Sequence, residues 1–403
     1  MLADGLSEAS QSTKGEYGRF GGRYVAEALW HPLETVANAF EAALNDDSFV
    51  QEHEEALAGR VGRPTPLTSL DSLSDNIGGG RLLLKREDLC HGGSYSANLA
   101  VAYALLAKRM GREWLVGETS TGDFGVALAS IGASMDLGVR LFVGRADLEA
   151  ESLNMRRIDE LGGVIETVDT SKRGAKAACA EAMRYWATHS SSSLYCPSQL
   201  ASPDPYPRLI QRFLSSIGTE TRGQTDERGI DPEYVVAPIG SGAFGVGLLG
   251  EFIGSESTQV VGVQAGGDGQ GKKHSASLTY GKPGVFQGTY SFVLQDQNGQ
   301  ILSPSSIAAG LRTPTVGPQH ARWAQTGDAH YVTATNQESV AAVRRLARSE
   351  GIVVSLEAAH AVAYALKLLP TLGPDEHVVV GISGSGVHEL ERLAKLEAEG
   401  SSE

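Results

Sequence analysis

Short apolar runs alternate with segments of helical periodicity along most of this chain, and three of the runs end directly in glycine-rich turns. Arg81–Leu84, Trp114–Gly117, Arg140–Val143, Gly163–Val168, Tyr234–Pro238, Gln259–Gln264 and Val378–Ile382 read as strands. Between them, Asn98–Met110, Gly125–Leu137, Ser152–Leu161, Lys172–Thr188, Val340–Ser349 and Leu356–Leu369 carry apolar residues at helical spacing. Strands alternating with helices predict an α/β fold of parallel sheets covered on both faces. A first sheet is expected to be complete by about residue 210 and a second to occupy the remainder, with a polar connector over Glu220–Asp231. Residues 1–15 and 396–403 are expected as disordered ends, leaving an N-terminal region 16–220 and a C-terminal region 221–395 that interleave across a cleft.

The glycine-rich turns are Glu118-Thr-Ser-Thr-Gly-Asp-Phe-Gly125, Gly240-Ser-Gly-Ala-Phe-Gly245 and Ser383-Gly-Ser-Gly386. Glycine permits close backbone approach, and a following helix N-terminus offers free N–H groups to a ligand. Three such turns in one chain point to a ligand cleft at the carboxyl ends of the strands. Composition narrows the partners. With 34 Lys and Arg against 48 Asp and Glu, the net charge of −14 argues against nucleic acid and anionic membranes. No apolar run reaches the length of about 18 residues that a membrane span needs, and the polar N-terminus lacks the pattern of a secretory leader. Cys90, Cys179 and Cys196 are too few and too scattered for a disulfide framework or a zinc site, so no metal is expected. A cytoplasmic protein acting on a small molecule is the expectation.

Longer motifs carry a family resemblance. Gly15-Glu-Tyr-Gly-Arg-Phe-Gly-Gly-Arg-Tyr-Val25, Gly62-Arg-Pro-Thr-Pro-Leu67, Leu84-Lys-Arg-Glu-Asp-Leu89, Asp204-Pro-Tyr-Pro207, Leu294-Gln-Asp-Gln-Asn-Gly-Gln300 and Val316-Gly-Pro-Gln-His320 resemble the tryptophan synthase β chain family. Leu105-Leu-Ala-Lys-Arg-Met-Gly111, Glu350-Gly-Ile352 and Leu356-Glu-Ala-Ala-His-Ala361 continue the match, which runs from about residue 15 to 395. The resemblance implies a two-domain, fold type II pyridoxal-phosphate enzyme architecture and a homodimer; it leaves open whether an α-type subunit binds, although Lys176 falls in the family's signalling region.

The departures concentrate on the cofactor. Where the family has Asn-His-Thr-Gly-Ala-His-Lys-Ile-Asn, this chain has Cys90-His-Gly-Gly-Ser-Tyr-Ser-Ala-Asn98. The Schiff-base lysine falls on Ser96 and its preceding histidine on Tyr95; serine forms no imine. The phosphate cup becomes Gly240, Ser241, Gly242, Ala243 and Phe244, a vestigial anion site with an aromatic ring in it. Asp123 stands in the loop that binds the substrate carboxylate in the family, beside Phe124. The family's closing aspartate falls on Arg312, its arginine partner on Ala150, and the aromatic beside the indole pocket on Gln287. Retained by the resemblance are Glu118 at the catalytic acid position, Tyr195 near Pro197 and Gln199, Glu357 close to the cofactor, and Ser383 at the pyridine-nitrogen position. His274 matches a stretch near the phosphate and stabilises an anion there or belongs to a solvated basic face with Lys272 and Lys273.

No cofactor is expected. Glu118 is a general acid/base or a helix-capping carboxylate, and Tyr95 a hydrogen-bond donor or a filler of the emptied space. Ser96 is a helix cap or, with His91 as base, a nucleophile. Asp123 and Arg312 orient a substrate or pair with each other, while His320 and His360 are structural. The expected activity is cofactor-independent acid–base catalysis (cyclisation, isomerisation, elimination or hydration) on an aromatic or polycyclic intermediate of a specialised biosynthetic pathway. The alternatives are a non-catalytic ligand- or partner-binding homologue and a residual lyase holding pyridoxal phosphate non-covalently.

Overall fold

The computed structural model describes residues 15–169, 176–269, 271 and 273–400. Six strands form the larger sheet, in the order His330–Ala334, Gln259–Ala265, Tyr234–Pro238, His377–Ile382, Arg81–Arg86 and Leu67–Ser69. All neighbours are parallel except Leu67–Ser69, which runs antiparallel along one edge. Val378, Val379, Val380 and Leu82, Leu83, Leu84 are all buried, as befits strands covered by helices on both faces. A second, four-stranded parallel sheet runs Val164–Val168, Gly138–Gly144, Trp114–Glu118, Ser193–Cys196. A small antiparallel sheet of Glu16–Tyr17, Phe20–Gly21, Thr289–Val293 and Lys282–Phe286 completes the set.

The helix Ser96–Arg109 explains how the two parallel sheets share a core. Every residue from Ser96 to Ala107 is buried, and its run of Ala, Leu, Val and Tyr is apolar on all sides, the pattern of a helix with no solvent face. It packs on the helix Asp123–Ser134 on one side and on Tyr206–Asp226 on another.

Most strands and helices fall within a few residues of their expected bounds, and three expectations are corrected. Glu220–Asp231 is not a connector: Tyr206–Asp226 is one helix, and Glu220 is tied to Arg63 at 2.7 Å and Lys85 at 2.8 Å. The expected second sheet is not confined to the later part of the chain, because Arg81–Arg86 and Leu67–Ser69 join it beside His377–Ile382, while the sheet of residues 114–196 is complete before residue 210 as expected. The final helix Leu390–Gly400 enters the span expected as a disordered tail. Residues 1–14 and 401–403, Lys172 with the first turn of its expected helix, and Lys272 lie outside the described residues. No helix among the described residues is long and apolar enough to cross a membrane.

Candidate active site

A cavity of about 130 Å³ lies between the two parallel sheets, where all three glycine-rich turns converge. Thr119, Ser120, Thr121, Asp123 and Phe124 line it from the small sheet. Gly240 to Phe244, Ser383 and Gly384 line it from the large one. The loop before the central helix contributes Ser94, Tyr95 and Ser96, and is pinned to the third turn: Tyr95 N–H donates to the Ser383 carbonyl at 3.1 Å and Ser385 N–H to the Gly93 carbonyl at 2.9 Å. Two glycines are dictated by close approach. A Cβ on Gly240 meets the Gly310 carbonyl oxygen at 2.4 Å, and one on Gly242, whose φ is +97°, meets the His320 ring at 2.2 Å. His320 is buried and satisfied, with its Nε2 on the Gly242 carbonyl at 2.9 Å and its Nδ1 on Tyr331 Oη at 2.8 Å, so it buttresses the turn. His360, also buried, engages the Leu356 carbonyl through Nδ1 at 2.7 Å, whereas its Nε2 has no hydrogen-bond partner among the described residues; neither histidine lines the cavity.

Asp123 is one of two carboxyls that line the cavity. Asn154 Nδ2 donates to its Oδ1 at 2.9 Å, and burial, reinforced by the nearby Glu357 carboxylate, pushes its pKa up from 3.8 to about 7. Glu357 lines the opposite wall, its Oε1 accepting from Gly310 N–H at 2.7 Å. Tyr95 and Phe244 lie with ring centroids 5.2 Å apart and planes tilted by 58°. Burial, then the charges of Asp123 and Glu357, raise the Tyr95 pKa, so its phenol stays protonated.

Glu118 is placed differently from expectation. Its side chain is wholly buried behind the cavity wall rather than lining it. Tyr195 Oη donates to its Oε2 at 2.9 Å, while Ser198 donates to its Oε1 from N–H at 3.0 Å and from Oγ at 3.1 Å. Burial lifts its pKa from 4.5 to about 7. Ser198 and Gln199 do line the cavity, so Glu118 reaches it only through Ser198. Tyr195 and Gln287 sit outside the lining as well; Gln287 is in contact with the Cys179 thiol, next to Glu118.

His91 and Ser96 are not brought together. His91 Nε2 is 2.8 Å from Ser130 Oγ, on an exposed face, whereas Ser96 Oγ is 3.1 Å from Ser94 Oγ. Ser96 is the first helical residue rather than the cap: its N–H donates to Ser94 Oγ at 3.3 Å, and the N-cap residue Tyr95 makes no side-chain cap bond. Nor do Asp123 and Arg312 pair with each other: Arg312 lines the cavity and engages Asp147 at 3.8 Å. His274 is outside the lining, its ring 4.3 Å from that of Tyr280. Ser241 Oγ accepts from Leu200 N–H at 3.2 Å, which ties the second turn to the Ser198–Leu200 segment. Lys176 rests over the Phe286 ring at 5.9 Å, away from the cavity.

Ser198, Asn154, Asp147, Thr313 and Ser355 do not stand out in the sequence. Only Ser355 carries a local signal, as the residue before the Leu356 helix, where its Oγ caps Ala358 N–H at 3.2 Å. No group of three His, Cys, Asp or Glu side chains fit for a metal occurs among the described residues.

The family model described as pyridoxal-phosphate dependent enzyme matches residues 60–384. The tryptophan synthase beta chain of Xylella fastidiosa (strain M12) is 39% identical over 391 residues, 96% of each chain. That of Methylibium petroleiphilum is 39% identical over 393 residues, 97% of this chain and 95% of its own. Among solved structures, a fungal L-serine ammonia-lyase from Rhizomucor miehei superposes with a TM-score of 0.63 at 18% identity, over 82% of this chain and 97% of its own. Architecture, turns and sequence thus agree, and the chain belongs to the tryptophan synthase β chain family of fold type II pyridoxal-phosphate dependent enzymes.

Proposed function

We propose that this chain is an acid–base catalyst that works without pyridoxal phosphate, on a small substrate held between Asp123 and Tyr95. The observation that carries the reading is Asp123, a carboxyl with its pKa raised to about 7, facing a cavity whose lining includes no lysine among the described residues. A group that titrates near neutrality both takes and returns a proton efficiently.

The residues present fit the family cofactor poorly. Ser96 supplies no amine for an imine, and among the described residues no lysine lines the cavity to replace it. The phosphate cup is engaged from within, with Ser241 Oγ accepting from Leu200 N–H and the Phe244 ring lying against Tyr95. Two carboxyls, Asp123 and Glu357, face the space a phosphate dianion and its ring would share. The volume of about 130 Å³ is below the range of about 300–1,000 Å³ usual for cofactor-sized ligands. The same volume favours a substrate of about one ring over a polycyclic one, since an apolar cavity of about 150 Å³ holds a benzene.

In this mechanism Asp123 removes a proton from the substrate in one half-reaction and delivers one in the other. The Tyr95 hydroxyl donates to the oxygen or nitrogen on which charge develops. Glu118 is a positioning residue that fixes Ser198 against the substrate. Arg312, ion-paired with Asp147, is a further wall of the same cavity. Isomerisation, cyclisation and elimination or hydration are the reaction types this set supports. The assembly proposed for it is the homodimer usual for the fold, with sedimentation equilibrium as its check.

An absorbance spectrum over about 300–500 nm during pyridoxal phosphate titration tests the central claim. No saturable band is expected. A saturable one overturns the reading in favour of a lyase that holds its cofactor non-covalently.

A further inference from the structure

The cavity's charge balance reaches beyond its acid–base chemistry to the kind of ligand it selects. Asp123 and Glu357 are each held at one oxygen by a neutral donor, Asn154 Nδ2 and Gly310 N–H respectively. The one Arg or Lys among the lining residues, Arg312, is directed at Asp147. Among the described lining residues two carboxyls, Asp123 and Glu357, thus stand against one guanidinium, Arg312, which is ion-paired with Asp147. Glu357 raises the cost of ionising Asp123, and Glu151 adds to the effect while Arg157 offsets part of it. A ligand that brings a positive charge relieves that repulsion, and one that brings a negative charge compounds it.

The aromatic pair supplies the second half of the argument. Tyr95 and Phe244 both line the cavity, inclined at 58° with centroids 5.2 Å apart. An aromatic face is electronegative and attracts an organic cation, most strongly where water is excluded. Carboxyls alone would suit a metal ion, but these two stand without a third ligand of the kind a metal requires among the described residues. Rings and carboxyls together suit a charged nitrogen attached to an apolar body.

We propose that the ligand of this cavity is an organic cation, a protonated amine or iminium on a body of about one ring, with its nitrogen between Asp123 and Glu357 and its apolar part against Tyr95 and Phe244. The inference rests on the cofactor-free reading of the cavity. It makes binding a matter of charge selection by two walls: the carboxyls fix the sign, and the rings fix the shape.

Isothermal titration calorimetry on the full chain with benzylamine, benzyl alcohol and benzoate tests it, because the three probes share a ring and differ in charge. Benzylamine is expected to bind at least about tenfold more tightly than benzyl alcohol, and benzoate not to saturate. Asp123→Asn combined with Glu357→Gln, which keeps both side-chain shapes and removes both charges, is expected to abolish that preference. Phe244→Leu is expected to weaken all probes that bind. Equal or tighter binding of benzyl alcohol or benzoate overturns the proposal. So does a preference that survives the removal of both carboxyl charges, or the absence of saturable heat for all three. The cofactor-free reading fails separately: a saturable pyridoxal phosphate band removes it whatever the probes do, whereas charge-blind probe binding without that band removes only the cation.

Discussion

Two carboxyls brought to about 7 by burial occupy different positions here, and their surroundings separate their roles. Asp123 meets the cavity and feels Glu357, whereas Glu118 is enclosed by Tyr195 and Ser198. Replacing Glu357 by Gln should therefore lower the Asp123 pKa from about 7 towards the ordinary carboxylate range, read by carboxyl NMR titration; an unchanged value would show that burial alone sets it. Glu118 gives a stability prediction. Between its ordinary value of 4.5 and about 7, the unfolded chain has released this proton while the folded chain retains it. Stability consequently falls as pH rises through that window, by about 1.4 kcal/mol for each pH unit crossed. Glu118→Gln should remove its share of that fall, so that thermal unfolding at pH 8 gains on the wild type while the gap at pH 4 stays small. A variant that loses equally at both pH values would instead mark Glu118 as a purely structural acceptor.

At the level of elements, the second turn and its helix are fitted to the central strand through one ring. A Cβ on Gly381 meets Phe244 at 2.6 Å and Leu248 at 2.5 Å. Gly381→Ala should cost about 1–3 kcal/mol by overpacking, and Phe244→Leu should return part of it in the double variant, measured by denaturant midpoints. Strict additivity of the two would contradict the contact. Strands such as His377–Ile382 and Tyr234–Pro238 are legible in the sequence because burial on both faces leaves an unbroken apolar run. The strand Lys282–Phe286 is not, since its Pro283 and Gly284 argue against a strand and only pairing with Thr289–Val293 makes it one. The end of the helix Tyr206–Asp226 reads as polar loop locally; what holds it is Glu220 bonding to Arg63 and Lys85 from far away in sequence. The site is partly legible for the same reason. Turns announce themselves, so Asp123 and Phe244 are found in the cavity lining; Tyr95, also there, stood out only through the family resemblance. Which face of a five-residue strand end looks inward is a tertiary matter, and it turns Glu118 away from the cavity and brings in Ser198 and Asn154.

Over the whole molecule, one buried polar network ties early and late parts of the chain. Arg63 bonds Glu87 at 2.7 Å, Glu220 at 2.7 Å and Asn98 at 2.8 Å, with Glu87 itself wholly buried. Arg63→Ala should cost about 3–5 kcal/mol because it strands the Glu87 charge, and adding Glu87→Gln should recover much of it. Equal unfolding midpoints for the single and double variants would count against the network. The threading of strands between sheets also sets an order of events during synthesis. The small sheet uses only the contiguous stretch from Trp114 to Cys196, so it is complete while the larger sheet still lacks His377–Ile382. Until that strand leaves the ribosome, Arg81–Arg86 has Leu67–Ser69 on one edge and nothing on the other. The nascent polypeptide thus carries a finished half beside a sticky, half-paired apolar ribbon, and that ribbon is where a chaperone has most reason to hold it.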